Sequence, residues 1–160
     1  MFNKSLALDK NFNEVYFEKA TLSINKGKFE LAEQLLKKAI EIDPNYSMAY
    51  FNLAIIYLFK DSEKSIKYLN KTINLNPSFA QAYFIRGYVY IFKNKISTAF
   101  VDWNKAIELD PKYGIAYFNR GITELMKEDV DSAFSDMNLA SKMNVEKATE
   151  FLTNNASANN

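Results

Sequence analysis

Two arginines, Arg86 and Arg120, sit in nearly repeated surroundings, FIRGY and FNRGI, and a pair of guanidinium groups could grip a carboxylate or phosphate. The plainer reading is that their stems cover apolar surface while their heads meet nearby acids such as Asp102, Asp136 or Glu124. Glu128, Asp129 and Asp131 offer hard oxygen ligands, yet they fall at a turn and helix start, where acids are favoured anyway, so no metal site is expected. The chain has no cysteine and no histidine, which removes thiolate nucleophiles, Cys/His metal sites and the commonest general base. No nucleophile with an adjacent base and no glycine-rich phosphate loop is present, so neither catalysis nor a cofactor is expected.

Bulk properties narrow the field further. With 160 residues, 48% of them hydrophobic, the chain can bury a core. Twenty basic against nineteen acidic residues leave a net charge of +1, so nucleic acid is not the default partner. The start, MFNKSLALDK, turns polar too soon for a signal peptide, and no segment approaches the ~20 apolar residues of a membrane span. A cytoplasmic setting follows as the expectation.

The elements that would position any site emerge from internal repetition. DKNFNEVYFEKA from Asp9, DPNYSMAYFNLA from Asp43, NPSFAQAYFIRG from Asn76 and DPKYGIAYFNRG from Asp110 begin 34, 33 and 34 residues apart. Between them recurs a second motif, from Phe29, Ser62, Ile96 and Val130. Apolar residues three and four apart, such as Ala32, Leu35, Leu36, Ala39 and Ile40, give both segments the period of an amphipathic helix. Short polar links, Asn25 to Lys28 or Glu128-Asp129, can only return the chain antiparallel. Pro44, Pro77 and Pro111 fall between units, ending one helix and suiting the start of the next.

This helical hairpin resembles the tetratricopeptide repeat. With Asn13, Ser47, Ala80 and Gly114 as first positions, the large fourth residue is Tyr16, Tyr50, Tyr83 and Tyr117, and the small eighth is Ala20, Ala54, Gly87 and Gly121. The bulky twenty-fourth is Leu36, Leu69, Trp103 and Met137. Departures are a turn one residue short near Asp61, Glu124 in place of an aromatic at position eleven, and Val145 in place of the last proline. The resemblance implies an all-α fold, an α-solenoid of antiparallel helix hairpins wound into a right-handed superhelix. It has four complete repeats at 13–46, 47–79, 80–113 and 114–144, a leading half-repeat at 2–12 and a capping helix at 145–152. Together these make a single domain over 1–152, with 153–160 a flexible tail.

The family's concave groove is lined by the first helices, and the resemblance assigns it here to Phe17, Met48, Phe51, Asn52, Ile55, Phe59, Phe84, Tyr88, Phe92, Ile115, Phe118, Asn119 and Ile122. So apolar a groove implies an apolar or amphipathic peptide or helix of another protein as partner, with Asn52 and Asn119 available to fix its backbone. The tyrosine column is expected in the core. The family's carboxylate clamp, which grips acidic chaperone C-terminal tails, would need lysine, asparagine and arginine where this chain has Phe17, Thr21, Asn52, Gln81 and Ile85, and only Asn52 matches, so such tails are not expected to bind. Two alternatives stay open: a homo-oligomerisation unit of a longer repeat protein, with the apolar side of residues 2–8 seeking a neighbour, and an RNA-binding helical repeat, which a phenylalanine-lined face disfavours.

Overall fold

A computed structural model describes the backbone of residues 2–158 and the side chains of residues 12–156. Among the described residues every element is helical: α1 (Phe2–Asn25), α2 (Phe29–Ile42), α3 (Ser47–Tyr57), α4 (Ser62–Leu75), α5 (Ala80–Phe92), α6 (Ile96–Leu109), α7 (Gly114–Met126), α8 (Val130–Lys142) and α9 (Glu146–Ala158). The chain divides into two compact units, Met1–Pro77 and Ser78–Asn160, where the sequence suggested one. In the first, hairpin α1–α2 packs on hairpin α3–α4 through α2 and α3; in the second, α5–α6 packs on α7–α8 through α6 and α7, and α9 closes against α8.

Two expected boundaries are corrected. No break separates a half-repeat 2–12 from the first repeat, because α1 runs through both; nothing in residues 9–12 carries the proline that ends helices elsewhere. The apolar side of residues 2–8 lies outside the described side chains. The chain past residue 152 is not a loose tail either, since α9 continues to Ala158 with Thr153 and Asn155 bonding back to Thr149 and Phe151 carbonyls.

Three of the hairpin turns and the link from α8 to α9 share one device. Gly27, Asn94, Glu128 and Asn144 take left-handed backbone at φ 69, 55, 62 and 62°. The next N–H then reaches five residues back, from Lys28 to Ser23, Lys95 to Tyr90, Asp129 to Glu124 and Val145 to Ala140, at 2.8–3.1 Å. This satisfies helix-end carbonyls that would otherwise be orphaned. The turn after α3 is the exception, being one residue shorter: the Asp61 N–H bonds Tyr57 at 2.9 Å, and the Asp61 carboxylate caps α4 through the Lys64 N–H at 3.0 Å. Between hairpins, Asp43 and Asp110 accept from Asn45 and Lys112, both at 3.0 Å, bending the chain around the prolines.

Within each hairpin the eighth and twenty-fourth residues meet, and their sizes compensate. Ala20 shares a buried cluster with Leu36, and Ala54 and Leu69 are likewise fully buried in the second hairpin; glycine at 87 and 121 faces the larger Trp103 and Met137. A Cβ added at Gly87 would lie 2.6 Å from Trp103 Nε1, and one at Gly121 would lie 3.1 Å from Met137 Cε. Trp103 is held there by donating its indole N–H to the Phe84 carbonyl at 3.2 Å.

Two outcomes follow. Gly87→Ala should destabilise by about 1–3 kcal/mol through overpacking, and Trp103→Leu in that background should lose less than in the wild type, read as a coupling in urea denaturation; additive losses would contradict the size match. Glu128→Gly should gain about 1 kcal/mol by relieving left-handed strain, checked by the same denaturation midpoints.

Candidate protein-binding faces

The phenylalanine column is half-buried throughout, with one edge in the repeat packing. Phe17 meets Tyr46 edge-on at 5.2 Å, and Phe84 meets Tyr113 at 5.0 Å. In both cases the partner is the residue that leads into the next first helix. Phe118 packs on the Met137, Ala140 and Ala148 cluster beside Val145 and Phe151. Phe51 is likewise half-buried on α3. Phe17 and Phe84 therefore join successive repeats within their own units and keep only part of each ring accessible. The tyrosine column is half-buried too, not fully interior: Tyr16, Tyr50, Tyr83 and Tyr117 lie at intermediate exposure, and lysine or arginine heads cover their rings.

Around the phenylalanines the other predicted residues form stripes on α3, α5 and α7. In the first unit Met48, Phe51, Ile55 and Phe59 follow one another along a face of α3 and its turn, and Phe59 is 78% exposed. Asn52 lies on the same face but donates its amide to Thr21 Oγ1 at 3.5 Å, tying α3 to α1. In the second unit Ile115, Phe118 and Ile122 line α7 and end at Met126, 53% exposed; Asn119 donates to its own helix at the Ile115 carbonyl, 2.8 Å away. On α5, Tyr88 and Phe92 stack edge to face at 4.9 Å, with Phe92 58% exposed. The two asparagines thus have partners within the chain.

The stripe on α3 ends in a cavity of about 400 Å³ that sequence reasoning did not name as a site, lined by Phe29, Glu30 and Glu33 of α2 and by Ile55, Ile56, Leu58, Phe59 and Lys60. Its polar wall is fixed: Glu33 Oε1 accepts from Lys37 at 2.6 Å and from the Tyr57 hydroxyl at 2.7 Å. These bonds hold the Glu33 carboxyl below its usual range, and the bond to Glu33 followed by burial pushes the Tyr57 phenol up to about 12. The shortened turn near Asp61 was the one signal in the sequence for something unusual at this place.

The paired arginines form no ligand site. Arg86 grips Asp102 with two bonds of 2.8 and 2.6 Å; Arg120 grips Asp136 with two of 2.7 Å and reaches Asn104 at 2.7 Å. Each guanidinium also lies over the tyrosine of its own repeat, Tyr83 or Tyr117. These clasps bind first helix to second helix, as the plainer reading of the sequence anticipated. Among the described residues no group of three or more acidic side chains is placed to hold a metal ion, and no helix is long and apolar enough to cross a membrane.

Sequence models of the tetratricopeptide repeat match residues 14–46 and 80–113, and a further one matches 35–66, together more than half the chain. The chain belongs to the tetratricopeptide-repeat family. No curated protein sequence matches it. Among solved structures it is similar to a crystal structure of MamA at 26% identity and TM-score 0.76, covering 92% of this chain and 87% of that one. The first repeat domain of Spaghetti (RPAP3), bound to the HSP90 peptide SRMEEVD, superposes at 23% identity and TM-score 0.71, covering 74% and 95%. PilF of Pseudomonas aeruginosa does so at 19% and 0.77, covering 85% and 63%. These last two likenesses show the fold alone. Tetratricopeptide repeats in general serve as protein-interaction scaffolds.

In this family member Glu124 replaces an aromatic with a buried, poorly compensated carboxyl. It is 7% exposed, Oε2 has no hydrogen-bond partner, and Oε1 lies 4.0 Å from Arg120 Nε, which is already committed to Asp136. Burial first, and then the Asp136 carboxylate, push its carboxyl up to about 7 against a weaker pull from Arg120. A carboxyl that binds its proton more tightly when folded stabilises most below its unfolded value near 4.5, and that contribution is lost as pH rises towards 7. Glu124→Gln should therefore be more stable than wild type by about 1–3 kcal/mol at pH 8 and close to it at pH 4, measured by thermal melts across that range.

Proposed function

We propose that the chain is a non-enzymatic scaffold of the cytoplasm whose first-helix faces hold an apolar or amphipathic peptide or helix of another protein. The observation that carries this reading is the run of large apolar side chains left accessible along α3 and α7, from Met48 to Phe59 and from Ile115 to Met126. Such runs are costly to leave in water, and each aromatic covered by a partner contributes roughly 1–3 kcal/mol before ordering costs. Their spacing of three, four and seven residues matches anchors on a facing helix.

Acidic chaperone tails are not the ligand in this reading. At the positions that would need cations the chain carries Phe17, Gln81 and Ile85, and the arginines nearest in sequence, Arg86 and Arg120, are consumed by Asp102 and Asp136. A desolvated carboxylate there would lack a charged donor.

Selection from a displayed peptide library tests the reading. Wild type should enrich sequences with apolar residues at helical spacing, and a Met48→Ser/Phe59→Ser/Ile122→Ser/Met126→Ser variant with unchanged circular dichroism should not retain them. These four positions are chosen because they are exposed, whereas Phe17 and Phe84 also join repeats. Enrichment of acidic tails, or equal retention by the variant, would refute it.

A further inference from the structure

The electrostatics of the faces narrow the partner further. Positions 2, 5, 6, 9, 12 and 13 of the four first helices contain no lysine and no arginine, and their only charged residues are Glu14 and Glu18. Both acids stand on α1, in the first unit, one turn apart and exposed. Phe17 lies between them in sequence and packs on Tyr46, while Thr21 receives the Asn52 amide, so this edge of α1 runs alongside the apolar face of α3. Asp43 adds a third carboxylate on the same side: with Glu14 and Glu18 it reinforces the burial that raises the Tyr46 phenol.

The other end of that face differs. Met48 to Phe59 spans about 16 Å and ends at the cavity, where Glu33 and Lys60 share the lining and the Glu33 carboxyl is drawn down by Lys37 and Tyr57 first and by Lys60 least. Charge is thus negative beside the start of α3, while at its end Glu30 and Glu33 are set against Lys37 and Lys60, with an apolar seat between Phe29, Ile55, Leu58 and Phe59. Along this face Asn52 is the one polar side chain among Met48, Phe51, Ile55 and Phe59, and it spends one amide N–H on Thr21, so a segment lying here must satisfy most of its own backbone hydrogen bonds, which a helix does and an extended strand does not.

Resting on the scaffold reading above, we propose that the first unit binds a basic amphipathic helix of another protein, with lysine or arginine over Glu14 and Glu18 and one large apolar side chain in the cavity between α2 and α3. The charge gradient sets the direction in which the helix lies as well as its sign. Anionic partners, including nucleic acid and acidic membranes, meet two exposed carboxylates and no cation on these columns.

Fluorescence anisotropy with two labelled probes tests this: an amidated leucine–lysine amphipathic helix of about five turns and its leucine–glutamate counterpart. The lysine probe should bind at least tenfold more tightly at low salt. Glu14→Lys/Glu18→Lys, at exposed positions, should abolish or reverse that preference, and Phe59→Ser should weaken both probes; circular dichroism checks each variant. A preference unchanged in Glu14→Lys/Glu18→Lys, or no preference at all, overturns the inference while leaving an apolar face intact. If neither probe binds, the scaffold reading of this face falls with it. Self-association of the unliganded chain that Phe59→Ser abolishes would give the face to a second copy and overturn the proposal as well.

Discussion

Everything in the fold depends on how closely two antiparallel helices can approach where the eighth residue of one meets the twenty-fourth of the other. Dense interiors tolerate neither gap nor overlap, so the pair behaves as one volume shared between two side chains. Leucine is matched by alanine in the first two repeats, tryptophan and methionine by glycine in the last two. Because the contact sits midway along each hairpin, it fixes the helix spacing, and the spacing in turn places Arg86 and Arg120 within reach of Asp102 and Asp136. The clasps are thus secondary to the packing. Their carboxylates are buried and their guanidinium groups half-buried, and the pairs are bidentate and internally matched, which makes them poor candidates for ligand capture.

Much of this was legible in the sequence. Repeat spacing, prolines and the small and bulky columns gave the hairpins and their limits, since those signals are local and each has a direct steric meaning. The ends were less legible: residues 9–12 hold no proline or glycine to stop a helix, so α1 continues where repeat counting placed a boundary, and the polar string after residue 152 keeps helical bonds through Thr153 and Asn155. The candidate faces were read in part. Position along a helix shows which way Phe17 or Phe84 points, but not that Tyr46 or Tyr113 arrives from the next repeat to cover one edge. The cavity escaped because it is assembled from Phe29 and Phe59, thirty residues apart in sequence and carried by different hairpins.

The faces also show how a repeat chain separates packing from exposure. Phe17 and Phe84 use one edge to join repeats and keep the other accessible. Replacing either would disturb the packing, while Phe59, Phe92 and Met126, at or just past the ends of their helices, are mostly exposed. Variation confined to those end positions can therefore change the surface with little effect on the repeat packing.

Trp103 has a spectroscopic consequence. It is the chain's single tryptophan, buried in the second compact unit, with its indole N–H held by the Phe84 carbonyl. Its emission therefore reports the loosening of residues 78–160 alone, whereas far-ultraviolet dichroism averages every helix in the chain. Overlaying the two signals during denaturation separates a repeat array that melts as one body from one that comes apart in halves, with no label added.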